Sequence, residues 1–217
     1  MADIFQEVDE EVRREQLKKL WDRYGAFFIA LAVLIVVGVG AFRGYQYWQN
    51  KKAAETGAQF EQAASLSEQG KHGEAQAAFD KIAAEGPSGY RVLARLRAAT
   101  ELANTDAKAA VAAYDAIAAD HSVDQGLRDL AVLRAGMLLV DTAPLEEMRR
   151  RLEPLSEPGR TFRHSAREML ALSAWRNHDA TTAKRYVDMV NDDPDTPQGV
   201  RSRIELLSAL LASGGKG

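Results

Sequence analysis

The sequence predicts an all-α protein with a single N-terminal transmembrane helix, followed by an α-solenoid of about four helical hairpins plus a C-terminal capping helix. Three observations predict this fold class. An apolar run lies near the N-terminus, the rest of the chain is rich in Ala, Leu, Glu and Arg, and small and apolar residues recur there at a near-constant period. Pro and Gly stand between the periodic segments, and no stretch alternates apolar with polar residues as a strand would.

The apolar run extends from Gly25 to Phe42 and contains 18 residues without a charge. A helix from Tyr24 to Tyr45 would be roughly 33 Å long, close to the thickness of the hydrocarbon core of a bilayer. Aromatic side chains stand at both ends of the run, as they do at the two lipid interfaces of a spanning helix. The predicted membrane-interface residues are Trp21, Tyr24, Tyr45, Tyr47 and Trp48.

Two other interpretations compete with an uncleaved anchor. One is a helix buried inside a soluble protein, and the other is a cleaved signal peptide. Signal peptides have a shorter apolar region, which follows a short basic start. Here the segment 1–23, which includes several acidic residues, precedes the run. An uncleaved anchor is therefore favoured.

The basic residues that flank the run predict its orientation. Five lie in the N-terminal flank and three in the C-terminal flank, which favours a cytoplasmic N-terminus. The predicted organisation is a cytoplasmic amphipathic segment at 1–23, a transmembrane signal-anchor helix at 24–48 and a repeat domain across the membrane at 49–217.

The segment after the anchor contains a repeat. A small residue on the first helix of each unit, called helix A, recurs at Ala63, Ala98, Gly136 and Ala171, with spacings of 35, 38 and 35 residues. Two antiparallel helices cross closely only where a side chain is small. Because one hairpin cannot bury its own apolar stripe, several hairpins must stack. The apolar helix from about 198 to 211 is expected to cover the last open face.

The second helix of each unit, helix B, carries the more specific pattern. In the first unit the residues are Ala75, Phe79, Ile82 and Pro87. These columns resemble the tetratricopeptide repeat, and the later units depart from its pattern in places. The resemblance implies a superhelical array of hairpins whose helices A line the binding side.

The whole chain also resembles a narrower family, the YfgM-like proteins. The stretches that carry this resemblance are WDRYG at 21–25 and RGYQYW at 43–48, on either side of the apolar run. Members of the family are ancillary subunits of the SecYEG translocon in Gram-negative bacteria. The resemblance implies a single-pass protein of the bacterial inner membrane with a periplasmic repeat domain. Such a protein would assist periplasmic chaperones with newly exported chains.

Composition and motifs argue against several other functions. The sequence has 28 Lys and Arg against 31 Asp and Glu, whereas a nucleic-acid binder usually has a basic excess. It has no cysteine, which excludes thiolate catalysis and Cys-ligated zinc. The four histidines form no i,i+4 pair and are interpreted as solvated turn residues. We therefore predict no catalytic residue, no metal and no cofactor, and a hydrolase without a recognisable motif is the minor alternative.

Function is then expected on the face that the helices A form. The resemblance to the repeat family implies the positions of this face through their offset from the small residue of helix A. The lining is apolar with scattered arginines, which suits an extended or partly unfolded protein chain. For the aliphatic members, burial in the core is the competing interpretation. The candidate groove residues are Phe60, Val92, Arg95, Leu102, Leu130, Leu133, Met137, Val140, Leu172, Trp175 and Arg176.

The predicted partners are proteins, and the resemblance suggests the SecYEG translocon and a periplasmic folding factor. Membrane lipid is expected around the anchor, with no nucleic acid and no small-molecule substrate. The alternative function is a scaffold for envelope assembly or cell division that docks specific protein partners.

Overall fold

The computed structural model describes residues 3–214, which form nine α-helices and no strand. The predicted all-α class is confirmed. Most side chains of the predicted cytoplasmic segment, 1–23, lie outside the described residues. The helices are α1 (Asp3–Glu68), α2 (His72–Glu85), α3 (Ser88–Leu102), α4 (Ala107–Ala118), α5 (Gln125–Leu139), α6 (Leu145–Ser156), α7 (Arg163–Arg176), α8 (Ala180–Asn191) and α9 (Gln198–Gly214).

The chain divides into two compact units, Met1–Glu55 and Thr56–Gly217, and α1 continues through the boundary between them. Among the described residues, one helical segment is long and apolar enough to cross a membrane, and its apolar run lies in the first unit. The side chains from 26 to 48 are exposed, and that of Val36 is 70% exposed. This segment is a candidate membrane anchor at the place that the sequence predicts.

The second unit is built from hairpins. The end of α1 packs on α2, and α3, α5 and α7 each pack on the helix that follows them, which gives the four predicted hairpins. The last helix, α9, contacts both α7 and α8 and so occupies the position of a further helix A. Gly136 shows why a small residue is needed where two helices cross, because a Cβ added there would lie 3.0 Å from Leu152.

Aspartates begin three of these helices. Asp106 and Asp179 each accept a hydrogen bond of 2.9 Å from the backbone N–H three residues further on, and Asp124 accepts one of 2.8 Å. Each bond satisfies an amide that has no partner inside its helix. Gly70 and His178 make the tight turns inside the first and fourth hairpins, with φ of 75° and 60°. Glycine adopts this left-handed conformation without strain, and histidine is among the residues that tolerate it.

Three apolar clusters form the core of the second unit. They lie in order along the chain, and each joins neighbouring hairpins through side chains such as Phe79 and Leu152, both fully buried. The C-terminal helix covers the last face as predicted. In α9, Ile204 and Leu207 are 1% and 3% exposed, and Leu211 packs against the same cluster.

Candidate protein-binding groove

A groove opens on the helix A side of the second unit. Its cavity has a volume of about 320 Å³. The walls come from the successive helices A, namely the end of α1, α3 and α5, with one residue from α4. The residues that line the groove are Phe60, Leu93, Leu96, Arg97, Thr100, Tyr114, Leu130 and Arg134.

The floor of the groove is aromatic and internally hydrogen-bonded. The ring of Phe60 packs edge-on against that of Phe79, with 5.0 Å between their centres. The hydroxyls of Tyr114 and Thr100 lie 2.8 Å apart, and Thr100 donates its proton to the carbonyl of Leu96 at 2.9 Å. Tyr114 is therefore the donor to Thr100. Both hydroxyl protons are therefore donated within the protein, and the apolar character of the floor comes from Phe60, Leu96 and Leu130.

Two arginines stand in the wall without a carboxylate partner among the described residues. Arg97 is half-buried, and its guanidinium lies 5.5 Å from the centre of the Phe79 ring. Arg134 is exposed on the next helix A. A guanidinium presents five donors in a planar fork, which matches carboxylates and carbonyl groups. The groove therefore combines an apolar floor with two cationic positions.

Exposed apolar side chains continue this face along later helices A. On α3, α5 and α7, a pair of buried residues lies between two residues that are more exposed, at 97–100, 134–137 and 172–175. The shared pattern places these stripes on equivalent sides of their helices. The exposed apolar residues on this face are Met137 (51%), Leu172 (37%) and Trp175 (43%).

The remaining aliphatic candidates pack at least partly inside the protein. Leu133 is 7% exposed and belongs to the core. Val92 and Val140 are partly buried against the second and third apolar clusters, and Leu102 is half-buried at the end of α3. Leu133 is therefore a core residue, as the competing interpretation has it. A buried side chain offers a partner no surface.

The two predicted arginines, Arg95 and Arg176, make contacts within the chain. Arg95 forms an ion pair with Asp120 at 2.7 Å. Hydrogen bonds from Ser122 and Arg95 lower the pKa of Asp120 to about 2. Arg176 donates from Nε to the carbonyl of Val140 at 3.1 Å. Its Nη2 donates to the carbonyl of Ala143 in the same turn. Arg95 is thereby joined to the turn after α4, and Arg176 to the turn after α5.

Of the residues that line this cavity, the sequence prediction includes Phe60 and Leu130 and lacks Leu93, Leu96, Arg97, Thr100, Tyr114 and Arg134. A signal for three of them exists, because Leu93 and Leu130, like Arg97 and Arg134, are separated by 37 residues, close to one repeat. The prediction counts positions from one small residue of each helix A, and this count leads to other residues of the same helices. Each helix A contains several small residues, such as Ala135 beside Gly136, so one of them does not determine which side of the helix faces outward.

The predicted interface aromatics lie in the first unit. Their side chains are all exposed, and a cation lies near an aromatic ring at each end of the apolar run. Arg23 lies 5.8 Å from the centre of the Tyr24 ring, and Lys52 lies 5.6 Å from that of Trp48. Contact of these rings with lipid stays a prediction.

A partly buried ionic network joins α7 to the turn before α9. Asp193 accepts hydrogen bonds from Arg163 at 2.7 Å and from Arg167 at 2.9 Å, and those from Arg163 contribute most to lowering its pKa. His164, which was interpreted as a solvated residue, is only 7% exposed, so that interpretation is wrong. Its Nδ1 lies 3.1 Å from Thr196 Oγ1. In the part of the chain that the structure describes, no group of three His, Asp or Glu side chains could hold a metal ion.

A comparison with protein families identifies the architecture. The family described as "Tetratricopeptide repeat-like domain" matches residues 18–185, which is 168 of the 217 residues. The chain belongs to this family. Members of the tetratricopeptide repeat-like class are typically non-catalytic modules that bind other proteins. The groove between Phe60 and Arg134 lies inside the matched span. Comparisons with curated proteins and with solved structures found no match.

Proposed function

We propose that this tetratricopeptide repeat-like protein is a membrane-anchored module that holds extended segments of other proteins in its groove. The observation that carries the proposal is the cavity of about 320 Å³ on the helix A face. A cavity of this size is at the lower end for ligand pockets and suits a few residues of a bound chain. The exposed side chains of Met137 and Trp175 extend the apolar surface beyond it.

The proposed site of action is a bacterial inner membrane. We propose that residues 24–48 span the bilayer once, with the N-terminus in the cytoplasm and the repeat domain, 49–217, in the periplasm. The exposed apolar side chains of this helix support this topology, and so do the basic residues, of which five lie in the N-terminal flank and three in the C-terminal flank. An anchor keeps the groove at high local concentration near other membrane proteins, so weak contacts suffice for capture.

The proposed role is that of an ancillary subunit of the Sec translocon, which assists periplasmic chaperones with newly exported chains. The resemblance to YfgM-like proteins in the stretches at 21–25 and 43–48 supports this role. A groove with an apolar floor also suits partly unfolded clients, because these expose side chains that folded proteins bury.

Photo-crosslinking in intact bacterial membranes tests this role. A photoreactive residue would replace Trp175 or Leu93 on the groove face, and Arg150, exposed on α6, would be the matched control position. Crosslinks to translocon subunits, a periplasmic folding factor or many exported chains are expected from the groove positions only. Crosslinks to a single cell-wall or division protein would instead indicate the scaffold. If the only crosslink formed is to α9 of the same chain, the groove does not bind partners.

Two substitutions provide a direct prediction. Met137→Glu places a charge on the exposed apolar stripe, and Trp175→Ala removes its largest side chain. We expect each to reduce client capture by about tenfold, because large apolar side chains that anchor a partner typically contribute about 1–2 kcal/mol or more. Far-UV circular dichroism would check that the helical fold is retained. Unchanged capture with normal helicity would contradict the assignment of these residues to the binding face.

A further inference from the structure

We infer that the groove selects polypeptide segments in which two acidic side chains flank a large apolar one. The inference rests on the proposed function and names the chemistry of the segment that the groove holds. Among the residues that line the cavity, two are arginines and none is an aspartate or glutamate. Charge complementarity and the apolar floor together define the ligand.

The carboxylate nearest to Arg97 on its own helix is already bound. Glu101 lies one turn further along α3 and is only 2% exposed. It accepts a hydrogen bond from Ser67 Oγ at 2.7 Å and lies 2.8 Å from His72 Nδ1. These partners belong to the first hairpin, so Glu101 joins two hairpins and does not neutralise Arg97. The Arg97 guanidinium instead lies over the Phe79 ring.

Arg134 on α5 likewise has no free carboxylate on its own helix. The carboxylate on its own helix is that of Asp129, which is 8% exposed and accepts a hydrogen bond from Gln125 at 2.6 Å. Its second oxygen lies 3.6 Å from the guanidinium of Arg160. Neither arginine of the groove has an ion-pair partner within the described residues. A bound carboxylate would supply one.

The spacing of the two cations determines the spacing of the acids. Neighbouring helices pack with their axes about 8–10 Å apart, and an extended chain advances about 3.3 Å per residue. Arg97 and Arg134 lie on successive helices A that line one cavity, so two acidic residues about three positions apart match the spacing expected between them. A side chain between them enters the cavity beside Leu93, which is 44% exposed, and Phe60.

The test uses the full chain in nanodiscs of uncharged phosphatidylcholine. The probes are two fluorescent peptides of about twelve residues, with Glu-Leu-Phe-Glu or Gln-Leu-Phe-Gln between flanks of Gly and Ser. By fluorescence anisotropy, the glutamate peptide is expected to bind about tenfold more tightly, since charge-assisted hydrogen bonds are worth more than neutral ones. The difference should shrink as salt is raised.

Matched double variants assign the preference to the groove. The variant R97Q/R134Q should bind both peptides alike. The variant R91Q/K108Q has the same net charge and should keep the preference, because Arg91 and Lys108 are exposed residues outside the lining of the groove. Circular dichroism would show that both variants are folded.

Three results would overturn the inference. They are equal binding of the two peptides to the unmodified chain, a preference that survives in R97Q/R134Q, and the absence of binding by either peptide. The crosslinking experiment decides the proposed function separately. If crosslinks from Leu93 to exported chains form while the glutamate preference is absent, the inference fails and the proposed function stands.

Discussion

Arginines in the last hairpin and arginines in the groove have different roles. Arg167 is 4% exposed and donates from Nε to the carbonyl of Ser156 at 2.9 Å. Its Nη1 donates to the carbonyl of Met189 at 3.1 Å and to Asp193 at 2.9 Å. By contrast, Arg97 and Arg134 make no hydrogen bond or ion pair within the described residues. The same residue type thus stabilises the fold in one region and remains available to a ligand in the other.

The position of each arginine relative to helix ends explains the difference. The last carbonyl groups of a helix have no partner inside that helix. Arg167 lies beside the ends of α6 and α8, where such carbonyls accept its protons, and a carboxylate balances its charge. Arg97 lies in the middle of a groove wall, away from helix ends. A helix A arginine is therefore structural where it meets the end of a neighbouring helix.

The largest expected effect is that of Arg167→Met. The substitution leaves the carbonyls of Ser156 and Met189 without this donor and removes one partner of Asp193, so we expect the free energy of unfolding to fall by about 3 kcal/mol. Urea denaturation of the full chain in mild detergent, followed by circular dichroism, measures this. Arg167→Lys keeps the charge but lacks the planar fork, so the free energy of unfolding should fall by less than in Arg167→Met.

Arg134→Met is the matched control in the other region. Because Arg134 is exposed and has no ion pair among the described residues, its replacement should change the free energy of unfolding by no more than about 0.5 kcal/mol. Equal losses from Arg134→Met and Arg167→Met would contradict the distinction between the two regions.

Arg176→Ala is expected to have a smaller effect than Arg167→Met. Arg176 is half-buried and bonds the turn that follows α5, so the loss should be about 1.5 kcal/mol. The same substitution should leave peptide binding in the groove unchanged if its role is structural. Tenfold weaker binding without a loss of stability would instead support its original assignment to the binding face.

The sequence predicted the hairpins more accurately than the surface they create. The repeat spacing requires only that small residues such as Ala63 and Gly136 recur, and the fold tolerates some rotation of each helix about its own axis. A binding face depends on that rotation. Arg95 and Arg176 were predicted as groove residues, whereas the structure joins them to Asp120 and Val140, contacts that depend on tertiary packing. Sequence spacing does not specify such contacts.

The smallest effect expected within the last hairpin is a pH dependence that comes from His164. Burial is the largest cause that lowers the pKa of this side chain below its ordinary value of 6.5, and the charge of Arg163 adds to the shift. The neutral ring donates from Nδ1 to Thr196, whose own proton goes to the carbonyl of Val190. The folded state therefore favours the neutral imidazole.

Since the folded-state pKa of His164 is below the unfolded one, its contribution to stability is complete above about pH 6.5 and is lost as the pH falls through the folded-state value. The variant His164→Asn can still donate to Thr196 but does not titrate. Urea unfolding of both proteins between about pH 8 and pH 5 should show a smaller loss of stability on acidification in the variant. All other residues are the same in both proteins, so their contributions cancel in the comparison. A difference in stability between the two proteins that stays constant over this range would contradict a contribution of His164 to the pH dependence of stability.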